Sequence, residues 1–192
     1  SSSITGAAMT IEAEVVIPKR NIVGDPNYQL FPSLTSSIFG MHAVGPRDDD
    51  LSYAADDTIN FNVIIGKNTD NRRDGHFSLI TSGSSNIITD VQTSQYTGLY
   101  DNQKWNLAFR LRPTNYPISN LVTEAISGST AYTYELYGNN CLSSEIQNEF
   151  TISGTMSLAD AAKFFTEPKR LFVGSARNNF TGSVVHHSDV KV

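Results

Sequence analysis

The chain has 192 residues, 39% hydrophobic and 17% charged, with 14 basic and 19 acidic side chains giving a net charge of −5. That is enough for one domain with a real core, and too apolar and too weakly charged for generic disorder. No basic block speaks for nucleic-acid binding, the single cysteine, Cys141, excludes an internal disulfide or cysteine-rich zinc site, and no run approaches the ~18 apolar residues of a membrane span.

The low charge is offset by 22 Ser, 17 Thr and 16 Asn, residue types that suit turns and the wet faces of strands, so the composition leans to all-β. Residues 1–10 read as a small polar linker and 11–192 as one domain. The chain opens on Ser and closes on the strand-like Asp189-Val190-Lys191-Val192, so a piece of a longer polypeptide is expected.

In chain order, Ile11, Ala13, Val15 and Ile17 alternate with Glu12 and Glu14, the period of a half-buried strand. Gly24, Asp25-Pro26 and Pro32 mark a loop, and residues 36–42 a short strand. A polar segment with five aspartates, residues 47–57, leads into Ile59, Phe61, Val63 and Ile65, which alternate with Asn60 and Asn62. Phe77, Leu79 and Thr81 form the next strand, and a weaker one covers 86–91. Trp105, Leu107, Phe109 and Leu111 face one way, opposite Lys104, Asn106, Ala108, Arg110 and Arg112, until Pro113. Tyr132, Tyr134 and Leu136 alternate with Thr133, Glu135 and Tyr137, and Gly138-Asn139-Asn140 reads as a turn. Phe150, Ile152 and Met156 continue the pattern, with Gly154 as a candidate bulge. Ser157 and Asp160 suggest a capping box for a helix over 157–166, with Leu158, Ala161, Ala162 and Phe165 on one face. Residues 170–175 and 183–192 close the chain as strands. Some nine to twelve alternating strands are most simply buried as a sandwich of two antiparallel sheets.

The chemistry-bearing residues are few. Glu12 and Glu14 share a strand face, as paired carboxylates of a glycosidase would, but they oppose the apolar stripe and read as a solvated face. His42, His76, His186 and His187 show no metal spacing, and no Gly-x-Ser-x-Gly elbow or phosphate-binding glycine loop is present. Asp48, Asp50, Asp56 and Asp57 form the best candidate for an ion, which would be calcium, against the alternative of a solvated acidic loop. No other cofactor is expected. Trp105 lies on the apolar stripe and reads as core, and Cys141 reads as structural. Tyr96, Tyr100, Tyr116 and Tyr137 either stack on sugar rings or cover strand edges, and Asn179-Phe180-Thr181 fits a glycosylation sequon.

Two stretches carry a resemblance. Tyr100-Asp101-Asn102-Gln103-Lys104-Trp105-Asn106-Leu107-Ala108 resembles the D-x-x-W-H-x-V strand of laminin G-like and concanavalin A-like domains. Lys169-Arg170-Leu171-Phe172-Val173-Gly174-Ser175, with Asn179-Phe180-Thr181-Gly182 and Ser188-Asp189-Val190-Lys191-Val192, resembles their closing Y-I-G…F-x-G-x-I-D-x-V-x-I segment. With residues 57–61 and 77–82 added, the set is similar to laminin G-like jelly rolls inside very large structural proteins of marine phages and related viruses. The chain departs from that pattern at Asn106, where the family has His, and in stopping at Val192, where the family's last strand runs on.

The resemblance implies a jelly roll of about twelve strands with no enzymatic role, which binds glycans or proteins or serves as a spacer in fibres and capsid decorations. The expectation is therefore a non-catalytic virion or surface domain serving assembly and glycan adhesion, with other virion or surface subunits as partners in an oligomer. A glycoside hydrolase or lyase on the same fold, and a purely structural oligomerisation module, are the alternatives. The expected binding surface is the polar strand face with Asn60, Asn62, Asn106, Arg110, Glu135 and Tyr137, or the adjoining loops, and alternation does not say which of these residues share a sheet.

Overall fold

The computed structural model of the chain describes residues 7–19, 35–43, 60–67, 73–82, 87–115, 131–174 and 186–191. Ten strands lie among them: β1 (Met9–Ile17), β2 (Thr35–Ala43), β3 (Asn60–Lys67), β4 (Gly75–Ser82), β5 (Ile87–Gln92), β6 (Gln103–Pro113), β7 (Ala131–Leu142), β8 (Glu145–Ser157), β9 (Lys169–Val173) and β10 (His186–Lys191). One helix, α1 (Leu158–Thr166), follows β8.

The strands form two five-stranded sheets, ordered β10-β1-β6-β7-β8 and β5-β4-β3-β2-β9, with every pairing antiparallel. The meander β2–β5 lies in one sheet and the meander β6–β8 in the other. Each later strand then returns beside an early one, β9 on β2 and β10 on β1. This is the expected all-β, two-sheet antiparallel sandwich, compatible with a jelly roll, with one short helix among the described residues.

Alternation decides what lies between the sheets. Ile11, Ala13, Val15 and Ile17 of β1 and Trp105, Leu107, Phe109 and Leu111 of β6 are all buried, as are Phe61, Val63 and Ile65 of β3 and Phe77 and Leu79 of β4. Each Val, Leu, Ile or Phe side chain among them contributes roughly 1.5–3 kcal/mol when fully buried. The two layers meet through aromatics: Phe77 of β4 packs edge-on against Trp105 of β6 at 4.9 Å between ring centroids, and stacks on Phe150 of β8 at 5.1 Å.

Three local readings are corrected. Gly138-Asn139-Asn140 is not a turn: β7 runs straight through it, and the chain reverses at Ser143 and Ser144, both at positive φ (52° and 69°). Gly138 is there for space, since a Cβ would strike the Phe150 ring and Leu107. Gly154 is not a bulge but stays in register opposite Tyr134, whose ring fills the room a Cβ would need; the irregularity in that ladder falls between Asn140 and Cys141. In α1 the buried residues are Ala161 and Phe164, with Phe165 against Tyr132, while Leu158 is exposed. Ser157 is the N-cap: the Asp160 amide donates to Ser157 Oγ at 3.0 Å, and the reciprocal bond runs from the Ser157 hydroxyl to Asp160 Oδ2 at 2.7 Å.

Candidate ligand-binding face

The outer face of the β10-β1-β6-β7-β8 sheet is a grid of polar side chains set by strand register. One row runs Glu14, Asn106, Asn139, Glu149 across β1, β6, β7 and β8; the next runs Glu12, Ala108, Tyr137, Thr151; the third runs Thr10, Arg110, Glu135, Ser153. On the far side, β10 sets Lys191 opposite Glu12 and Asp189 opposite Glu14. Directly opposed residues of a strand pair stand about 4.5–5.5 Å apart, within side-chain reach of each other.

Ala108 makes the relief. Its methyl group sits amid longer neighbours and leaves two hollows, one on either side. The first, of about 400 Å³, is lined by Glu12, Glu14, Asn106, Tyr137 and Asn139. The second, of about 380 Å³, is lined by Thr10, Glu12, Arg110, Glu135, Tyr137 and Thr151. Both share Glu12, Ala108 and Tyr137. Each volume is at the small end of what ligand pockets offer.

A hydrogen-bond relay crosses the first hollow. Asn106 Nδ2 donates to Asn139 Oδ1 at 3.0 Å, Asn139 Nδ2 donates to Tyr137 Oη at 3.3 Å, and the Tyr137 hydroxyl donates to Glu149 Oε2 at 3.3 Å. The charges around it are paired. Lys104 Nζ lies 2.7 Å from Glu14 Oε2. Arg110 Nε donates to Glu135 Oε2 at 2.8 Å, its Nη2 meets the same oxygen, and Arg112 Nη2 lies 3.5 Å from Oε1. Burial tends to raise the Glu135 pKa, but the hydrogen bond and charge of Arg110, joined by Arg112, outweigh it and hold the carboxyl below its usual range.

Of the six residues named for the polar strand face, four lie on one sheet face: Asn106, Arg110, Glu135 and Tyr137. Asn60 and Asn62 do not. They lie on β3, in the other sheet, and point away from the core on the opposite side of the sandwich. Asn62 is half-buried there, its amide donating to Ser37 Oγ at 3.1 Å, so it is a structural residue. Alternation fixes which side of a strand a residue takes, but not which sheet the strand joins.

Glu12 and Glu14 lie on a solvated face, as read, and also line the hollows; the residue missed was Asn139, assigned to a turn. The signal for Asn139 was present: the period of two that places Thr133, Glu135 and Tyr137 on one side continues to Asn139 and Cys141. Two of the four candidate tyrosines are withdrawn as sugar platforms. Tyr100 is fully buried, and Tyr96 packs on Trp105, Phe77 and Phe150 with ring centroids 5.1–6.3 Å away. Tyr116, the sequon Asn179-Phe180-Thr181 and the calcium candidates Asp48, Asp50, Asp56 and Asp57 lie outside the described residues. Cys141 is exposed rather than packed, its thiol 3.6 Å from Asn139 Oδ1. Trp105 is core, as its stripe indicated, with its indole N–H donating to Gln103 Oε1 at 3.1 Å. Among the described residues, no cluster of three or more His, Cys, Asp or Glu is placed to hold a metal ion, and no helix is long and apolar enough to cross a membrane.

Fold and face together define an antiparallel β-sandwich with a polar, twin-hollowed sheet face. Comparison with protein-family models, with curated proteins and with solved structures found no match to this chain.

Proposed function

We propose that the chain is a non-catalytic jelly-roll domain of a virion or other surface structural protein, which binds glycans through the outer face of the β10-β1-β6-β7-β8 sheet and serves adhesion and assembly. The reading of the source rests on the resemblance to laminin G-like domains of viral structural proteins; its partners would be neighbouring subunits of the same particle. The observation that carries the glycan reading is the pair of hollows flanking Ala108 and sharing Tyr137, ringed by amides, hydroxyls and carboxylates at the spacing of adjacent strands. Such groups match the hydroxyls of successive sugar units, and a half-exposed tyrosine offers a ring edge between them.

A hydrolytic role is less favoured on this face. Glycoside hydrolysis needs one carboxyl group whose pKa is raised so that it can act as an acid. Glu135 is shifted the other way by its arginines, and Glu14 is held by Lys104. The test is a glycan array probed with the wild type and with Arg110→Ala and Tyr137→Ala, checked for folding by circular dichroism. Both variants are expected to lose the wild-type signal. Unchanged binding by both would remove this surface from consideration.

A further inference from the structure

We infer that the two hollows select neutral, hydroxyl-rich saccharides and turn away acidic ones; this rests on the glycan reading of the face given above. Among the described residues that line the first hollow are two carboxylates, Glu12 and Glu14, and no cation, Lys104 being already paired with Glu14. Its relay links the Asn106 and Asn139 amides and the Tyr137 hydroxyl in sequence to Glu149. What remains for a ligand is one N–H on each amide and a larger set of acceptors, among them the Asn106 amide oxygen and the Glu12 carboxylate, neither of which has a partner among the described side chains. Acceptors call for donors, and a sugar hydroxyl is a donor whose bond to a carboxylate is stronger than one to a neutral oxygen.

The second hollow does contain a cation, but Arg110 is already bound to Glu135, which also holds Arg112. A uronate, sialate or sulfate entering there would have to part Glu135 from two guanidinium groups while lying beside Glu12. Like charges brought together in this way are a device for excluding wrong partners. Glu135 and Glu12 are thus the specificity-determining residues, one by neutralising the arginines and the other by its own charge.

The experiment is a glycan array carrying matched neutral and acidic glycans, the latter sialylated, uronate-containing or sulfated, read with the wild type, Glu135→Gln and Glu12→Gln at low and high salt. The wild type is expected to bind neutral glycans at least ~10-fold better than their acidic counterparts. Glu135→Gln, by releasing Arg110 and Arg112, is expected to gain acidic binding by roughly 10-fold, in a manner weakened by salt. Glu12→Gln gives a second route, less dependent on the ion-pair cluster, with the same direction of change. Preferential capture of acidic glycans by the wild type, or no gain in either variant, would overturn the selectivity while leaving the face a glycan site. Binding of no glycan at all by a folded wild type would overturn the glycan reading itself, and the selectivity with it.

Discussion

Phe61 of β3 stacks on Phe109 of β6 with ring centroids 3.7 Å apart and planes 11° from parallel, so the two sheets are joined ring to ring at the middle of the sandwich. Phe39 meets the same Phe61 edge-on at 6.4 Å, and Phe164 of α1 reaches it at 6.2 Å. One side chain thereby ties both sheets and the helix into one core. Phe109→Ala is expected to cost about 3–5 kcal/mol, measured by urea unfolding, and Phe109→Leu distinctly less. Because the two rings are in contact, the double variant Phe61→Ala with Phe109→Ala should cost less than the sum of the single ones. Strict additivity would mean that the stack is not a coupled pair.

Gly138 faces Phe150 across the β7–β8 ladder, and a methyl group there would collide with the Phe150 ring and with Leu107. Gly138→Ala is expected to destabilise by about 1–3 kcal/mol through overpacking. Combining it with Phe150→Leu should recover part of the loss, since the shorter side chain vacates the space. A neutral Gly138→Ala would mean that the Phe150 ring and Leu107 give way to a methyl group without cost.

Ser157 caps α1 through its hydroxyl, which accepts from the Asp160 amide. Ser157→Ala leaves that N–H without its partner and is expected to cost about 1 kcal/mol in thermal or chemical unfolding, with Ser157→Asn close to wild type. Equal losses in both variants would show that packing, not the cap, holds the segment.

Glu135 titrates below its usual range in the folded protein because of Arg110 and Arg112. A carboxyl with a depressed folded-state pKa adds stability that is present above its unfolded-state value and is lost as pH falls through the folded one. The pair is partly exposed, so the contribution is about 1 kcal/mol or less. The melting temperature of the wild type should exceed that of Glu135→Gln near neutral pH, and the gap should close as pH falls below about 4. A gap independent of pH down to about 2 would assign the effect of the substitution to packing rather than to charge.

The strands were legible in the sequence where alternation was strong. The stripe Trp105, Leu107, Phe109, Leu111 and the stripe Ile11, Ala13, Val15, Ile17 both define their strands and their buried sides correctly, because a side chain at every second position must face the same way. The Ser157–Asp160 cap was equally local and equally readable. The errors came where one residue type serves two purposes. Gly138 and Asn139 have turn composition, but Gly138 makes room for a ring contributed by another strand, a partner twelve residues further along the chain that no local pattern reveals.

The candidate face divides along the same line. The sequence by itself determined that Asn106, Arg110, Glu135 and Tyr137 point away from the core, and so do Asn60 and Asn62, because the pleat has a period of two. Only the tertiary structure decided that β6 and β7 lie side by side in one sheet and β3 in the other, which parts the asparagines of β3 from the rest. It also decided that β1 joins β6 in a register that puts Glu12 opposite Ala108 and Glu14 opposite Asn106, so that two solvent-facing glutamates also line a hollow. Which strands become neighbours depends on how two hydrophobic faces cover each other over long sequence distances, and that choice is made by packing, not by the local sequence.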